Sequence, residues 1–121
     1  NMSEELGITY YQNALGYLKK TIGDFNFNVF TDDVEWCKNN SLFNEAVSIK
    51  EASLENTIDH FIEMTTYKNF IISNSTYSYM AAYLSTEVGK VVVEPKPWFK
   101  KLEYIEYDEI LNPNWKMIEN E

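Results

Sequence analysis

The clearest pattern of apolar and polar residues lies in the middle of the chain. Phe70–Ile72 is a short apolar run with β-branched residues, which is typical of a buried strand. Apolar residues then recur at helical spacing, at Tyr77, Met80, Ala81 and Leu84. Four small polar residues, Ser73, Asn74, Ser75 and Thr76, separate the two patterns. The pattern therefore predicts a strand, a polar turn and a helix.

The rest of the chain predicts further strands alternating with helices. The periodicity predicts helices at Thr9–Ile22 and Leu54–Thr66, and strands at Phe27–Phe30, Ala46–Ile49 and Val91–Val93. Asp32, followed three residues later by Glu35, has the spacing of a capping box that opens a further helix. Pro95 and Pro97 are expected to end the last strand. Residues 1–121 are therefore predicted to form a single α/β domain, three layers deep, with a mostly parallel sheet.

Composition limits the classes of function. The net charge of −9 disfavours binding to nucleic acid or to an anionic membrane surface. No apolar run approaches the ~20 residues of a membrane span, and the lone Cys37 fits a reducing compartment. We therefore expect a cytoplasmic protein, and leave open a peripheral position at the cytoplasmic face of a bacterial inner membrane. All 10 basic residues are lysines, so the chain lacks arginine, the usual bidentate ligand of diphosphates.

The turn at Ser73–Thr76 has two interpretations. It follows a strand and precedes a helix, and ligands of open α/β sheets bind at such positions. Free N–H groups at the helix N-terminus would favour an anion, whereas a simple N-cap needs no ligand. Asp32 allows the same two interpretations, as part of a nucleotide pocket or as an N-cap. The chain has no Asp-x-Asp pair, so we expect no metal site.

Four stretches resemble the α-1,2-fucosyltransferases of glycosyltransferase family 11. FIISNSTYSYMAAYL, residues 70–84, is similar to the family segment IISNSTFSWWGAWL, and FTDDVEW, residues 30–36, resembles FSDDIEW. VVVEPKPW, residues 91–98, resembles VIAPKKWF, and residues 112–118 resemble a closing P-x-W-x-x-I. The resemblance runs from Tyr10 to Ile118, with the motifs in the family's order.

The resemblance implies a fold and an activity. The fold would be the Rossmann-like half of a two-domain GT-B type glycosyltransferase, with the chain as the C-terminal, donor-nucleotide-binding part of a longer protein. The family's His-x-Arg-Arg-Gly-Asp phosphate motif and the first strand would lie upstream and are missing here. The activity would be inverting transfer of fucose from GDP-fucose to a galactoside hydroxyl of a glycan, without metal or other cofactor.

The same resemblance implies roles for individual residues. Ser73, Asn74, Ser75 and Thr76 would face the β-phosphate and fucose, and Asp32 would line the nucleotide pocket. A family acid that contacts guanine falls at His60, next to Asp59, so either residue is a candidate for that contact. His60 is otherwise interpreted as a partly exposed helix histidine rather than a general base. No catalytic residue is predicted.

Two alternatives follow from the missing strand and the missing arginine. One is a noncatalytic α/β interaction or assembly domain. The other concerns the sheet, in which the absent first strand would lie between Phe27–Phe30 and Phe70–Ile72. We expect these two strands either to pair directly or to be completed by a second copy of the chain, and we favour the oligomer.

Overall fold

The structure, a computed structural model, is an α/β fold with two short parallel sheets. It describes residues 7–53, 55–96 and 112–119. The helices are α1 (Ile8–Ile22), α2 (Val34–Lys38), α3 (Thr57–Met64) and α4 (Thr76–Leu84), with a 3₁₀ turn at Ser41–Phe43. The strands are β1 (Asn28–Thr31), β2 (Ser48–Glu51), β3 (Asn69–Ile71), β4 (Val91–Lys96) and β5 (Lys116–Glu119). Strands β1 and β2 form one sheet, and β3, β4 and β5 form the other in that order.

Helices cover both faces of the three-stranded sheet. On one face Val93 packs with Tyr10, Ala14 and Leu18 of α1. On the other face Val92 packs with Phe70, Ile72 and Ala82, the last of these from α4. Alternate residues of β4 therefore enter different clusters, as expected of a strand buried on both faces. The predicted three-layer arrangement is confirmed for this sheet.

The C-terminal part of the sheet corrects two predictions. Pro95 does not end its strand but lies within β4, where it aligns with Ile118 of β5. Val93 O accepts a hydrogen bond from Ile72 N at 2.9 Å, so the odd-numbered residues of β4 direct their backbone N–H and C=O groups toward β3. Strand β3 ends at Ile71, so the missing N–H of Pro95 costs no ladder bond. Strand β5 itself was not predicted, and Pro97 lies outside the described residues.

Helix boundaries also differ from the predictions. The predicted helix over Leu54–Thr66 is α3, whose eight residues begin at Thr57. Ser53 and Asn56 exchange side-chain and backbone hydrogen bonds of 2.8 and 3.3 Å, which form a turn in place of the first helical turn. The position of Leu54 lies outside the described residues.

The predicted direct pairing of Phe27–Phe30 with Phe70–Ile72 is wrong. Among the described residues β1 pairs with β2 alone and β3 with β4 alone. The two sheets are separated by a cavity of about 430 Å³ that is lined by both β1 and β3. We call this cavity the inter-sheet slot. Completion by a second copy stays a prediction.

Candidate functional site

The predicted polar turn lies at the carboxyl end of β3, directly before α4. Ser75 is the N-cap of α4, and its Oγ accepts a hydrogen bond from Tyr77 N at 3.2 Å. Ser78 Oγ donates to Ser75 O at 3.0 Å, and it lies 3.4 Å from Ser73 Oγ. The turn is therefore held by the hydroxyl groups of Ser75 and of Ser78 in α4, and the capping interpretation of Ser75 is confirmed.

Capping by Ser75 does not use the whole turn. Thr76 is exposed at the start of the nine-residue helix α4, where N–H groups are oriented toward the carboxyl edge of the sheet. Ser73 and Asn74 are half-buried, and Ser73 lines the inter-sheet slot together with Ser78. The turn thus places hydroxyl groups beside a helix N-terminus, a chemistry that suits phosphate or sugar oxygens.

Asp32 and Asp33, the acidic residues after β1, differ from the prediction in which of them caps α2. Asp33, not Asp32, caps α2, because its Oδ1 accepts a hydrogen bond from Trp36 N at 3.1 Å. Thr31 Oγ1 accepts a hydrogen bond from Asp33 N at 2.9 Å and fixes the turn. Asp32 is exposed and lines the mouth of the slot. Its carboxylate is therefore available to a ligand, and the capping-box interpretation of Asp32 is wrong.

Asp59 and His60 lie on α3, and neither of them lines the slot. Asp59 is exposed in the first turn of the helix. The ring of His60 packs edge-on against Phe30, with centroids 5.4 Å apart, and its buried Nδ1 has no hydrogen-bond partner in the part of the chain that the structure describes. Packing against β1 thus accounts for the ring of His60. The structure brings Asp32 and Ser73 to one cavity and leaves Asp59 and His60 outside it.

Glu94 is a buried ionisable residue that the sequence analysis overlooked. It lies on β4 at 0% exposure, and its Oε1 accepts a hydrogen bond from Asn112 N at 3.0 Å. Among the described residues its Oε2 has no hydrogen-bond partner, and burial raises the pKa of the carboxyl from 4.5 to about 6. A signal was available in the sequence, because a charged residue next to Val91–Val93 interrupts a buried apolar run.

Two absences apply to residues 7–53, 55–96 and 112–119. No three His, Cys, Asp or Glu side chains come together as a metal-ion site within these ranges. In the same ranges, no helix is both long enough and apolar enough to span a membrane.

The fold and the site define a class of protein. Parallel strands with helices on both faces, and a polar turn at their carboxyl edge, are the features of α/β domains that bind ligands at that edge. The model of the family "Glycosyl transferase family 11" matches residues 6–119. The chain therefore belongs to glycosyl transferase family 11.

Two curated relatives from Escherichia coli are similar to the chain. The O-antigen biosynthesis glycosyltransferase WbnK is 39% identical over 97 residues, which are 78% of this chain and 32% of that protein. An alpha-1,2-colitosyltransferase is 33% identical over 103 residues, 82% of this chain and 35% of that protein. The chain thus spans about a third of the length of these relatives. No solved structure matches it.

Proposed function

We propose that this chain forms the donor side of a fucosyltransferase of the GT-B type, which transfers fucose from GDP-fucose to a galactoside hydroxyl of a glycan in α-1,2 linkage. The observation that carries the proposal is the strand–turn–helix at residues 70–84. The segment with the strongest resemblance to the family places Ser73 and Thr76 at the carboxyl edge of the sheet. Family membership over residues 6–119 supports glycosyl transfer as the reaction.

In this proposal the turn binds the phosphate and sugar end of the donor. The N–H groups at the start of α4 and the hydroxyls of Ser73 and Thr76 donate to phosphate or sugar oxygens. Asp32 does not cap α2, and its carboxylate accepts hydrogen bonds from hydroxyl groups of the sugar nucleotide. Asp59 or His60 would contact the guanine from α3. No metal or other cofactor takes part.

The identity of the donor sugar is the most specific part of the proposal. One relative is named for transfer of colitose and the other for O-antigen synthesis. Fucose is the sugar that the motif resemblance favours, and a comparison of GDP-fucose with a colitosyl donor tests that choice directly.

A titration with GDP tests the site. We expect GDP to shift the amide resonances of Ser73–Thr76 and Asp32 in two-dimensional NMR spectra. Asn74→Ala should weaken GDP binding about 5- to 150-fold, the equivalent of about 1–3 kcal/mol for a lost buried hydrogen-bond partner. Glu87→Gln, an exposed change after α4, is the matched control and should leave the affinity unchanged. Shifts confined to Val91–Lys96 would refute the assignment.

A noncatalytic interaction domain is the second candidate. The absence of arginine favours it, because the diphosphate would have no bidentate cation within this sequence. If GDP produces no shift at millimolar concentration while the chain remains folded, this second function replaces the first.

A further inference from the structure

The carbonyl of Ile72 lies where the three-stranded sheet ends and the polar turn begins. Ile72 N donates to Val93 O at 2.9 Å, and both backbone groups of a residue in a parallel ladder point to the same neighbour. Ile72 O therefore also points toward β4, where the next residue in register is Pro95. Because proline has no N–H, the ladder cannot supply a donor to this buried carbonyl.

The side-chain hydroxyl of Tyr10 is the donor in place of the ladder. Tyr10 OH donates to Ile72 O at 2.6 Å and lies 3.3 Å from Val93 O, so the missing N–H leaves no unpaired carbonyl here. Tyr10 belongs to the first turn of α1, and its side chain is 0% exposed in the cluster that α1 forms with the sheet. Burial raises the pKa of the hydroxyl above its usual range, so the group keeps its proton.

This hydrogen bond also orients the first amide of the turn. Ile72 C=O and Ser73 N–H belong to one planar, trans peptide group, so the two bonds point in opposite directions. A carbonyl fixed toward β4 therefore fixes Ser73 N–H away from β4. Ser73 lines the inter-sheet slot, whereas Tyr10 does not, so Tyr10 acts on the turn through this peptide group.

Packing alone does not require the hydroxyl of Tyr10. A phenylalanine ring would fill the same space in the cluster, but Ile72 O would then be buried without its donor. A buried carbonyl without a partner is costly, which favours rotation of the peptide group toward another donor. The residues of the turn follow directly, so their N–H and hydroxyl groups would lose their fixed direction.

We propose that Tyr10 is a positioning residue for the turn at Ser73–Thr76. Through Ile72 O it holds the turn in the orientation that receives the phosphate or sugar oxygens of a nucleotide sugar. The inference rests on the proposed donor function of the turn. It adds to the site a residue of α1 that lies 62 positions before Ile72 and does not contact the ligand.

Tyr10→Phe in the 121-residue chain tests the inference. The matched control is Ser85→Ala, which also removes a hydrogen bond from a buried side-chain hydroxyl to a backbone carbonyl, that of Ser85 Oγ with Tyr67 O at 2.7 Å. Ser85 is the C-cap of α4, at the opposite end of the helix from the turn. NMR at a temperature where all variants are folded measures the amide order parameters of the turn without ligand and the dissociation constant of GDP.

We expect Tyr10→Phe to lower the order parameters of Ser73 and Asn74 from about 0.85 to below about 0.6. It should weaken GDP binding about tenfold or more, whereas Ser85→Ala should leave the order parameters unchanged and the affinity within about twofold. In the double variant with Ser73→Ala, the loss of affinity should be at least about threefold smaller than the product of the two single losses, because both changes act on the same turn.

Two results would overturn the inference. Equal GDP affinity of Tyr10→Phe and the wild type would show that the hydroxyl does not position the turn. Equal losses in Tyr10→Phe and Ser85→Ala, or single losses that multiply in the double variant, would show a general effect of stability. Failure of the wild type to bind GDP would refute the proposed function together with this inference, whereas binding that Tyr10→Phe leaves unchanged refutes the inference alone.

Discussion

Replacing Glu94 by glutamine should make stability less sensitive to pH. The carboxyl is 0% exposed, and burial raises its pKa from 4.5 to about 6. A group whose folded pKa lies above its unfolded value contributes stability below the unfolded pKa and loses it as pH rises through the folded pKa. The wild-type chain should thus lose stability from this group between about pH 4.5 and pH 6 and remain destabilised above that range.

The magnitude follows from the two pKa values. A difference of about 1.5 pKa units corresponds to about 2 kcal/mol of unfolding free energy once the group is fully ionised. Between about pH 5 and pH 8 the loss amounts to about 1.2 kcal/mol, because part of the titration is complete at the lower pH. Glu94→Gln should retain the hydrogen bond from Asn112 N, since the amide oxygen accepts as the carboxyl does.

Urea denaturation of both proteins at several pH values measures this difference. The free energy of unfolding of Glu94→Gln minus that of the wild type should rise by about 1.2 kcal/mol from pH 5 to pH 8. A difference in unfolding free energy that is the same at every pH does not test the prediction, because a buried amide group carries its own pH-independent cost. Glu87→Gln, on the exposed loop after α4, serves as the control for a lost charge. A flat or falling difference for Glu94→Gln would refute the reasoning.

Two further predictions concern the turn and its support. Asp33→Ala should lower the free energy of unfolding by about 0.5–2 kcal/mol, because the α2 cap is lost. Asp32→Ala should change that free energy by less than about 0.5 kcal/mol and should weaken GDP binding instead. The reverse pattern would contradict the roles assigned to the two residues. Tyr10→Phe should lower the free energy of unfolding by about 1–3 kcal/mol, because Tyr10 OH donates a hydrogen bond of 2.6 Å to Ile72 O, directly before the turn. Tyr11→Phe is the matched control. Equal losses in both variants would show that the hydrogen bond of the Tyr10 hydroxyl is not the cause.

The order of strands and helices could be predicted because it depends on local patterns. Apolar runs followed by helical spacing located β3, α4 and the turn between them to within one residue. Strand β5 could not be found this way, since its four residues carry charges at both ends and show little alternation. It forms because the free edge of β4 offers a ladder and because Met117 and Ile118 fill clusters on opposite faces.

The candidate site was predictable in its location and less so in its individual roles. A cap and a ligand-binding acid have the same local sequence, so Asp32 and Asp33 could not be distinguished before their hydrogen bonds were known. Whether Glu94 Oε2 finds a partner among the described residues depends on side chains distant in sequence. Likewise, the position of His60 against Phe30 is set by how α3 packs on β1, and no spacing rule contains that information.

The edge between Asp32 and Ser73 leads to the last prediction, that the chain alone does not transfer fucose. Both residues line the slot, so the donor edge is interrupted where the two sheets separate. The proposed phosphate ligands are the N-terminus of α4 and the hydroxyl groups of the turn. The chain has no arginine that would compensate the charge of a diphosphate. GDP release from GDP-fucose should therefore stay at the level of the protein-free reaction when a galactoside acceptor is added to the purified chain. The NMR titration under the same conditions serves as the control for folding and donor binding. Acceptor-dependent GDP release that is abolished by Asn74→Ala would contradict this prediction and show that the two sheets suffice for catalysis.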